Sequence, residues 1–318
     1  MNNENLKKFY HGAYRFEETD DGYLLGIQYT KEQMEYLRFN YVFYERAYFG
    51  SAKTLEFVTD ATEVSFDYRF RSGVNETIEL AIDGIIYDVR VAKNMDKEGT
   101  VTFRMGANKK NVVIYLPADD VLYIKNLQIN SYAEPVEKKT KVLWMGDSIT
   151  QGYGPFRSGE TYVSVANRIL NYEVLNQGIG GYYYDKKVLM KMDGYMPDKI
   201  IIAHGTNQCL SDTAEQDTRE YYERLSELYP SVPVLTITPV WRGKFKNEFN
   251  EEATKKFIEF CDKIKEICSH YDNITVVDGF KLMHHSIEYY MEDWLHPNAL
   301  GCENYGRNLA ETIQKLGF

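Results

Sequence analysis

Lys141-Val142-Leu143-Trp144-Met145-Gly146-Asp147-Ser148-Ile149-Thr150 is the stretch on which the reading of the fold turns. Its continuous apolar run reads as a buried strand of a parallel sheet, and the run breaks abruptly at Gly146 into Gly-Asp-Ser. In an open parallel sheet, ligands bind in the crevice beyond the carboxyl ends of the strands. A serine held there on a glycine-assisted turn is placed for chemistry. The plainer reading of the same residues is a helix N-cap, for which Asp and Ser are favoured side chains. Taken alone, the stretch favours the cap, and what shifts the balance lies downstream.

Three later stations extend the first reading. A short strand at Glu173-Val174-Leu175 is followed by Asn176-Gln177-Gly178-Ile179-Gly180-Gly181, where glycines let a backbone N–H approach a ligand closely. The apolar strand Lys199-Ile200-Ile201-Ile202-Ala203 runs into His204-Gly205-Thr206-Asn207-Gln208, which brings a side-chain amide to the same sheet edge. Near the C-terminus, Asp293-Trp294-Leu295-His296-Pro297-Asn298 sets an acid three residues before a histidine, close enough to hydrogen-bond within one turn. Together the four stations supply a nucleophile, a base, an orienting acid and oxyanion donors.

Their order and residues resemble the four blocks of the SGNH, or GDSL-type, serine hydrolases: a Gly-Asp-Ser turn, a glycine, a Gly-x-Asn and an Asp-x-x-His. The resemblance covers about Lys141 to Phe318. It implies Ser148 as nucleophile, with its own N–H, the Gly181 N–H and the Asn207 side chain as the oxyanion hole. It implies His296 as general base and Asp293 as the residue that fixes its tautomer. Two positions depart from the family pattern: Ile149 stands for leucine, and Gln208 for the aspartate that usually follows the asparagine. Elementary chemistry agrees with the roles, because a hydroxyl is a weak nucleophile without an adjacent base, and histidine, with an ordinary pKa of about 6.5, suits that task. The reaction implied is ester hydrolysis through an acyl-serine, with no organic cofactor and no metal.

Around these stations, strands alternate with helical patterns. Helices are expected at Tyr162 to Leu170, Ala214 to Leu228 and Glu251 to His270, with strands at Val234-Leu235-Thr236-Ile237 and Ile274-Thr275-Val276-Val277. That is an α/β domain on a doubly wound, flavodoxin-like parallel sheet. The first part of the chain is patterned differently. Val64-Ser65-Phe66-Asp67-Tyr68-Arg69-Phe70 alternates apolar and polar residues, and Asp83-Gly84 separates Thr77–Ile82 from Ile85–Val89 as a hairpin turn. Asn111 to Pro117 and Val121 to Ile124 add strands, so residues 1–133 read as an all-β, jelly-roll-like sandwich. Residues 134–140 then read as a polar linker, and 141–318 as the hydrolase domain. A sandwich leading into an SGNH domain is similar to carbohydrate esterase family 2, which implies acetyl groups on carbohydrate as substrate. Tyrosines are abundant, 27 in the chain, and Tyr153, Tyr182, Trp241 and Trp294 are candidate substrate contacts near the sheet edge. Their ordinary role would be to pack with a polar tip outward.

Composition narrows the rest. The 318 residues exceed one typical domain, 44% are hydrophobic, and the formal net charge of −10 comes with no basic stripe, which argues against nucleic acid or an anionic membrane surface as partner. The partner expected is a small-molecule or oligosaccharide ester, with oligomeric state open. The polar start, Met1 to Lys8, lacks the apolar core of a signal peptide, so the expectation is a cytoplasmic protein. Cys209, Cys261, Cys268 and Cys302 lack zinc spacing and read as reduced, packed thiols. Gly178-Ile179-Gly180 is not a dinucleotide fingerprint, because its third glycine is misplaced. His284-His285 with Glu288 reads as surface, His204 as structural, and Trp144 and Met145 as core. Two rival functions remain: a lipolytic esterase or thioesterase for longer acyl chains, and a non-catalytic carbohydrate-binding protein on a hydrolase scaffold.

Overall fold

In the computed structural model, which describes residues 1–72 and 76–318, the alternating sequence after Tyr14 closes into two facing antiparallel sheets. In chain order the strands are β1 (Tyr10–His11), β2 (Arg15–Glu18), β3 (Leu24–Ile27), β4 (Thr54–Thr59), β5 (Glu63–Phe70), β6 (Thr77–Ile82), β7 (Ile85–Val91), β8 (Glu98–Arg104), β9 (Lys110–Tyr115), β10 (Leu122–Ile129) and β11 (Ala133–Pro135). One sheet runs β1-β4-β9-β6-β7, with β11 also on β4, and the other runs β2-β3-β10-β5-β8. Val64, Phe66, Tyr68 and Phe70 of β5 are buried on one face, where they join Leu55, Phe57, Leu80 and Ile114 of the opposite sheet in one core. This is the strand period of two acting on apolar burial. Asp83 (φ +50°) and Gly84 (φ +83°) make the expected hairpin turn, whose two left-handed residues suit the twist of the flanking strands.

The first unit is not all β. Behind the short α1 (Asn3–Leu6), helices α2 (Lys31–Leu37) and α3 (Tyr41–Arg46) interrupt the strands between β3 and β4. Thr30 and Gln33 form a capping box on α2, and the Asn40 side chain caps α3. Their apolar residues bridge the two units: Met34, Leu37 and Phe43 share one cluster with Leu25 and Ile27 of β3 and with Ile179, Tyr182 and Val188 of the second unit. The segment from Glu134 to Thr140 also lies against the sandwich, because Glu134 and Pro135 pair with β4 and Lys138 forms a 2.6 Å ion pair with Glu56.

The second unit carries β12 (Lys141–Gly146), β13 (Glu173–Gly178), β14 (Lys199–Ala203), β15 (Val234–Ile237) and β16 (Ile274–Val277), all parallel in the order β13-β12-β14-β15-β16. Counted within this unit, the order is 2-1-3-4-5, that of flavodoxin-like sheets. The helices are α4 (Ser148–Gln151), α5 (Tyr162–Leu170), α6 (Ala214–Leu228), α7 (Lys244–Asn247), α8 (Glu251–Cys268) and α9 (Ala299–Leu316). Alternate residues of β12 serve the two faces. Val142 and Trp144 pack with Tyr162, Tyr305 and Leu309, while Leu143 and Met145 pack with Tyr221, Phe257 and Ile264. Trp144 donates its Nε1–H to the Tyr162 hydroxyl at 3.0 Å, so both residues at the head of the Gly-Asp-Ser turn belong to the core.

The α4 backbone is seated directly on the end of β13. A Cβ on Gly178 would lie 2.4 Å from the Gln151 nitrogen and 2.7 Å from the Thr150 carbonyl carbon. Gly178→Ala must therefore push α4 off the sheet, and overpacking of this kind costs about 1–3 kcal/mol. Urea unfolding of the variant should show that loss, whereas an unchanged midpoint would mean that α4 yields freely.

Candidate active site

The strand-to-helix turn after β12 resolves the two readings of Gly-Asp-Ser, because it uses both residues. The Asp147 carboxylate accepts the Ile149 N–H at 3.0 Å and caps α4. This leaves the next hydroxyl free of capping duty, and Ser148 Oγ lies 2.7 Å from His296 Nε2. Burial pushes the Asp147 carboxyl up to about 7, an effect opposed by its helix-cap hydrogen bond and by the charge of buried Arg242.

His296 is held from behind by Asp293. The carboxylate takes the ring Nδ1 at 2.5 Å with one oxygen and the Leu295 and His296 backbone N–H groups at 2.9 and 3.0 Å with the other. Burial alone would raise the Asp293 carboxyl, but these hydrogen bonds outweigh it and leave the group below the usual carboxylate range. With Nδ1 facing a carboxylate, the ring proton sits on that side and Nε2 offers its lone pair to the serine hydroxyl. Asn298 caps α9 immediately beyond, so the loop is fixed on both sides. The Tyr153 ring stands edge-on to the His296 ring at 4.6 Å.

The other two stations meet each other. Gly181 occupies a left-handed backbone position (φ +84°), open to glycine at no steric cost, at the end of the turn that packs on α4. Asn207 Nδ2 donates to the Tyr182 carbonyl at 2.8 Å, which ties the amide to the residue after Gly181 and leaves its second N–H available. The departure at Gln208 has a structural consequence: its Oε1 accepts the Tyr184 N–H at 2.5 Å, so glutamine itself braces the loop, while its Nε2 is buried without a hydrogen-bond partner among the described residues. The arrangement can pass a proton from Ser148 to His296 and present N–H donors to a developing oxyanion.

Not every expected contact faces this site. Tyr182 is buried, with its hydroxyl on Asp185 and its ring against Phe43, and Trp241 is buried and stacked on His285; neither meets a substrate in this arrangement. Trp294 is half-buried at a left-handed position (φ +52°), where its backbone is tied to Met291 and Lys244. Tyr153 is exposed and lines a cleft of about 310 Å³ shared by the two units. The sandwich contributes Glu76 and Asp119 to that cleft, and the second unit contributes Phe156 and Met291. Burial, reinforced by the Asp119 charge, pushes the Glu76 carboxyl up to about 9, and burial lifts Asp119 to about 6. No local pattern marks Glu76 or Asp119 in the sequence, since only the docking of the units carries them to Tyr153.

A catalytic-type serine, histidine and acid at the carboxyl edge of a doubly wound sheet define an SGNH-type carboxylic ester hydrolase. The chain belongs to the GDSL-like lipase/acylhydrolase family, whose model matches residues 144–303. No curated protein sequence matches the chain. Solved structures share the whole architecture at low identity. A salicylyl-acyltransferase from a tetracycline biosynthetic pathway superposes with a TM-score of 0.76 at 18% identity over 97% of this chain and 94% of that one. A family two carbohydrate esterase from Clostridium thermocellum, in complex with cellohexaose, gives 0.66 at 15% over 96% and 98%. An acetyl xylan esterase from the rumen bacterium Butyrivibrio proteoclasticus gives 0.59 at 17% over 87% and 92%.

His204, at the end of β14, is packed among the Tyr182, Tyr184 and Tyr221 rings, with its Nδ1 buried and without a hydrogen-bond partner among the described residues. Burial lowers its pKa to about 3, so between about 6.5 and 3 the unfolded chain binds more protons than the folded one. Its contribution to stability is complete above pH 6.5 and is lost as the pH falls toward 3. His204→Phe should therefore lose less stability than the parent between pH 7 and pH 4, by on the order of 1–3 kcal/mol in urea titrations. Equal losses in the two proteins would contradict this.

Proposed function

We propose that this protein is a serine esterase that removes short acyl groups, acetyl above all, from carbohydrate. The observation that carries the reading is the unbroken line Ser148–His296–Asp293, with spacings of 2.7 and 2.5 Å, next to a cleft of about 310 Å³ that Tyr153, edge-on to His296, lines. In this mechanism His296 removes the Ser148 proton as Oγ attacks the ester carbonyl. Asp293 stabilises the imidazolium, and the N–H groups of Ser148, Gly181 and Asn207 receive the negative charge on the carbonyl oxygen. His296 then protonates the departing alcohol, and water, deprotonated by the same ring, frees the acyl group and restores the serine.

The acceptor reading rests on the cleft. Tyr153 and Phe156 offer aromatic faces, and both are about half exposed; Glu76 and Asp119 offer oxygen partners to hydroxyl groups. Mostly apolar walls with a few placed polar groups suit a sugar ring. Structural likeness to an acetyl xylan esterase and to a carbohydrate esterase that holds cellohexaose supports the same class of substrate.

Hydrolysis of p-nitrophenyl esters of increasing acyl length should fall steeply beyond acetate and propionate. Ser148→Ala should abolish it with the fold intact. Asn207→Ala should lower kcat on the order of 100- to 1000-fold, the usual cost of one oxyanion donor. A long-chain optimum would move the reading to lipid esters, and full activity in Ser148→Ala would remove it.

A further inference from the structure

The peptide that joins Gly180 to Gly181 is gripped from the other unit. Its N–H, on Gly181, is the oxyanion donor of the proposed reaction, and its C=O, on Gly180, accepts a hydrogen bond from Arg46 Nη1 at 2.6 Å. Arg46 is the last residue of α3, within the insertion between β3 and β4. Because a peptide unit is planar, the position of its carbonyl oxygen and the direction of its N–H are one and the same constraint. A cationic donor on the carbonyl also polarises the unit, which strengthens the N–H as a donor on the opposite side.

The preceding peptide, Ile179–Gly180, is held by the same unit through a relay. The Gly180 N–H donates to Gln151 Oε1 at 2.6 Å, and Gln151 Nε2 donates to Asp119 Oδ1 at 2.5 Å. Both polar backbone groups of Gly180 thus connect to the first unit, the C=O directly to Arg46 and the N–H through Gln151 to Asp119. The fit is close: a Cβ on Gly180 would lie 2.8 Å from Arg46 Nη1, so a side chain there would displace the guanidinium. Helix α3 is itself firmly seated. Phe43 meets the Tyr182 ring edge-on at 4.9 Å, Ala47 is buried, and Glu45 pairs with Arg71 at 2.7 Å.

We propose that Arg46 is a positioning residue for the oxyanion hole, so that the sandwich unit completes the catalytic site and does more than flank it. The inference rests on the reading of Gly181 as an oxyanion donor. Arg46 sits behind the peptide and touches no reacting atom. Its contribution is greatest where charge develops on the carbonyl oxygen, so its loss should lower kcat and leave KM nearly unchanged.

The test uses the full chain with p-nitrophenyl acetate and four variants: Arg46→Ala, Arg46→Lys, Asn207→Ala and Arg38→Ala, the last altering an exposed arginine just before α3. Arg46→Ala should lower kcat about 10- to 100-fold, less than the full loss of a donor, with KM within about twofold and an unchanged thermal midpoint. Arg46→Lys, or millimolar guanidinium added to Arg46→Ala, should restore part of the loss. Arg38→Ala should match the parent. If Asn207→Ala is impaired while Arg46→Ala keeps its kcat, the oxyanion reading stands and the role of Arg46 is refuted. If neither variant is impaired, the oxyanion reading falls and takes this inference with it. A loss in Arg46→Ala that appears as a raised KM or a lowered midpoint, without recovery by guanidinium, would reduce Arg46 to a structural contact and overturn the proposal.

Discussion

The hydrogen bond between Ser148 and His296 joins residues 148 positions apart, and the rest of the molecule is arranged so that this bond can form. No local structure could hold it. The serine is fixed by the buried β12 strand and by the Asp147 cap, while the histidine is fixed by Asp293 and by the start of α9. Each side chain therefore hangs from an element whose position is set by apolar burial. The parallel sheet is the common frame, because it brings the ends of β12, β13 and β14 to one edge with Gly146, Gly178 and Ala203 in register.

The sandwich extends that frame. Its core is separate, built from the inward faces of its own two sheets, yet its inserted helices share an apolar cluster with the turn that follows β13. Polar contacts follow the same path: Gln177 donates to the Gln28 carbonyl at 2.7 Å, and the Tyr36 hydroxyl reaches Asp185 at 2.7 Å. Packing of this density transmits position over several residues. The sandwich therefore shares the packing around the turn after β13, and the cleft between the units takes its acidic wall from it.

Much of this was legible in the sequence because the signals are local. The apolar runs of β12 and β14, the unbroken alternation of β5 and the Asp83-Gly84 turn each follow from a period or a dipeptide, and they fold as those patterns require. The Ser148, Asp293 and His296 constellation was legible for a different reason, since its spacing is chemical and its order distinctive. Helices α2 and α3 were not, because seven and six residues give too few turns for a helical period to show. Tyr182 and Trp241 were placed near the site by sequence proximity alone, and the fold turns both into the interior. Arg46, Glu76 and Asp119 left no trace, since their significance arises only where the two units meet.

The central claim is that Ser148 is a nucleophile activated by His296. Incubation with diethyl p-nitrophenyl phosphate, followed by mass measurement of the peptides, tests it most directly, because the reagent needs an activated hydroxyl and traps it covalently. The account predicts one diethylphosphoryl group per chain, located on Ser148, and no labelling when His296 is replaced by alanine. An adduct on another residue, or equal labelling in the His296→Ala variant, would contradict it.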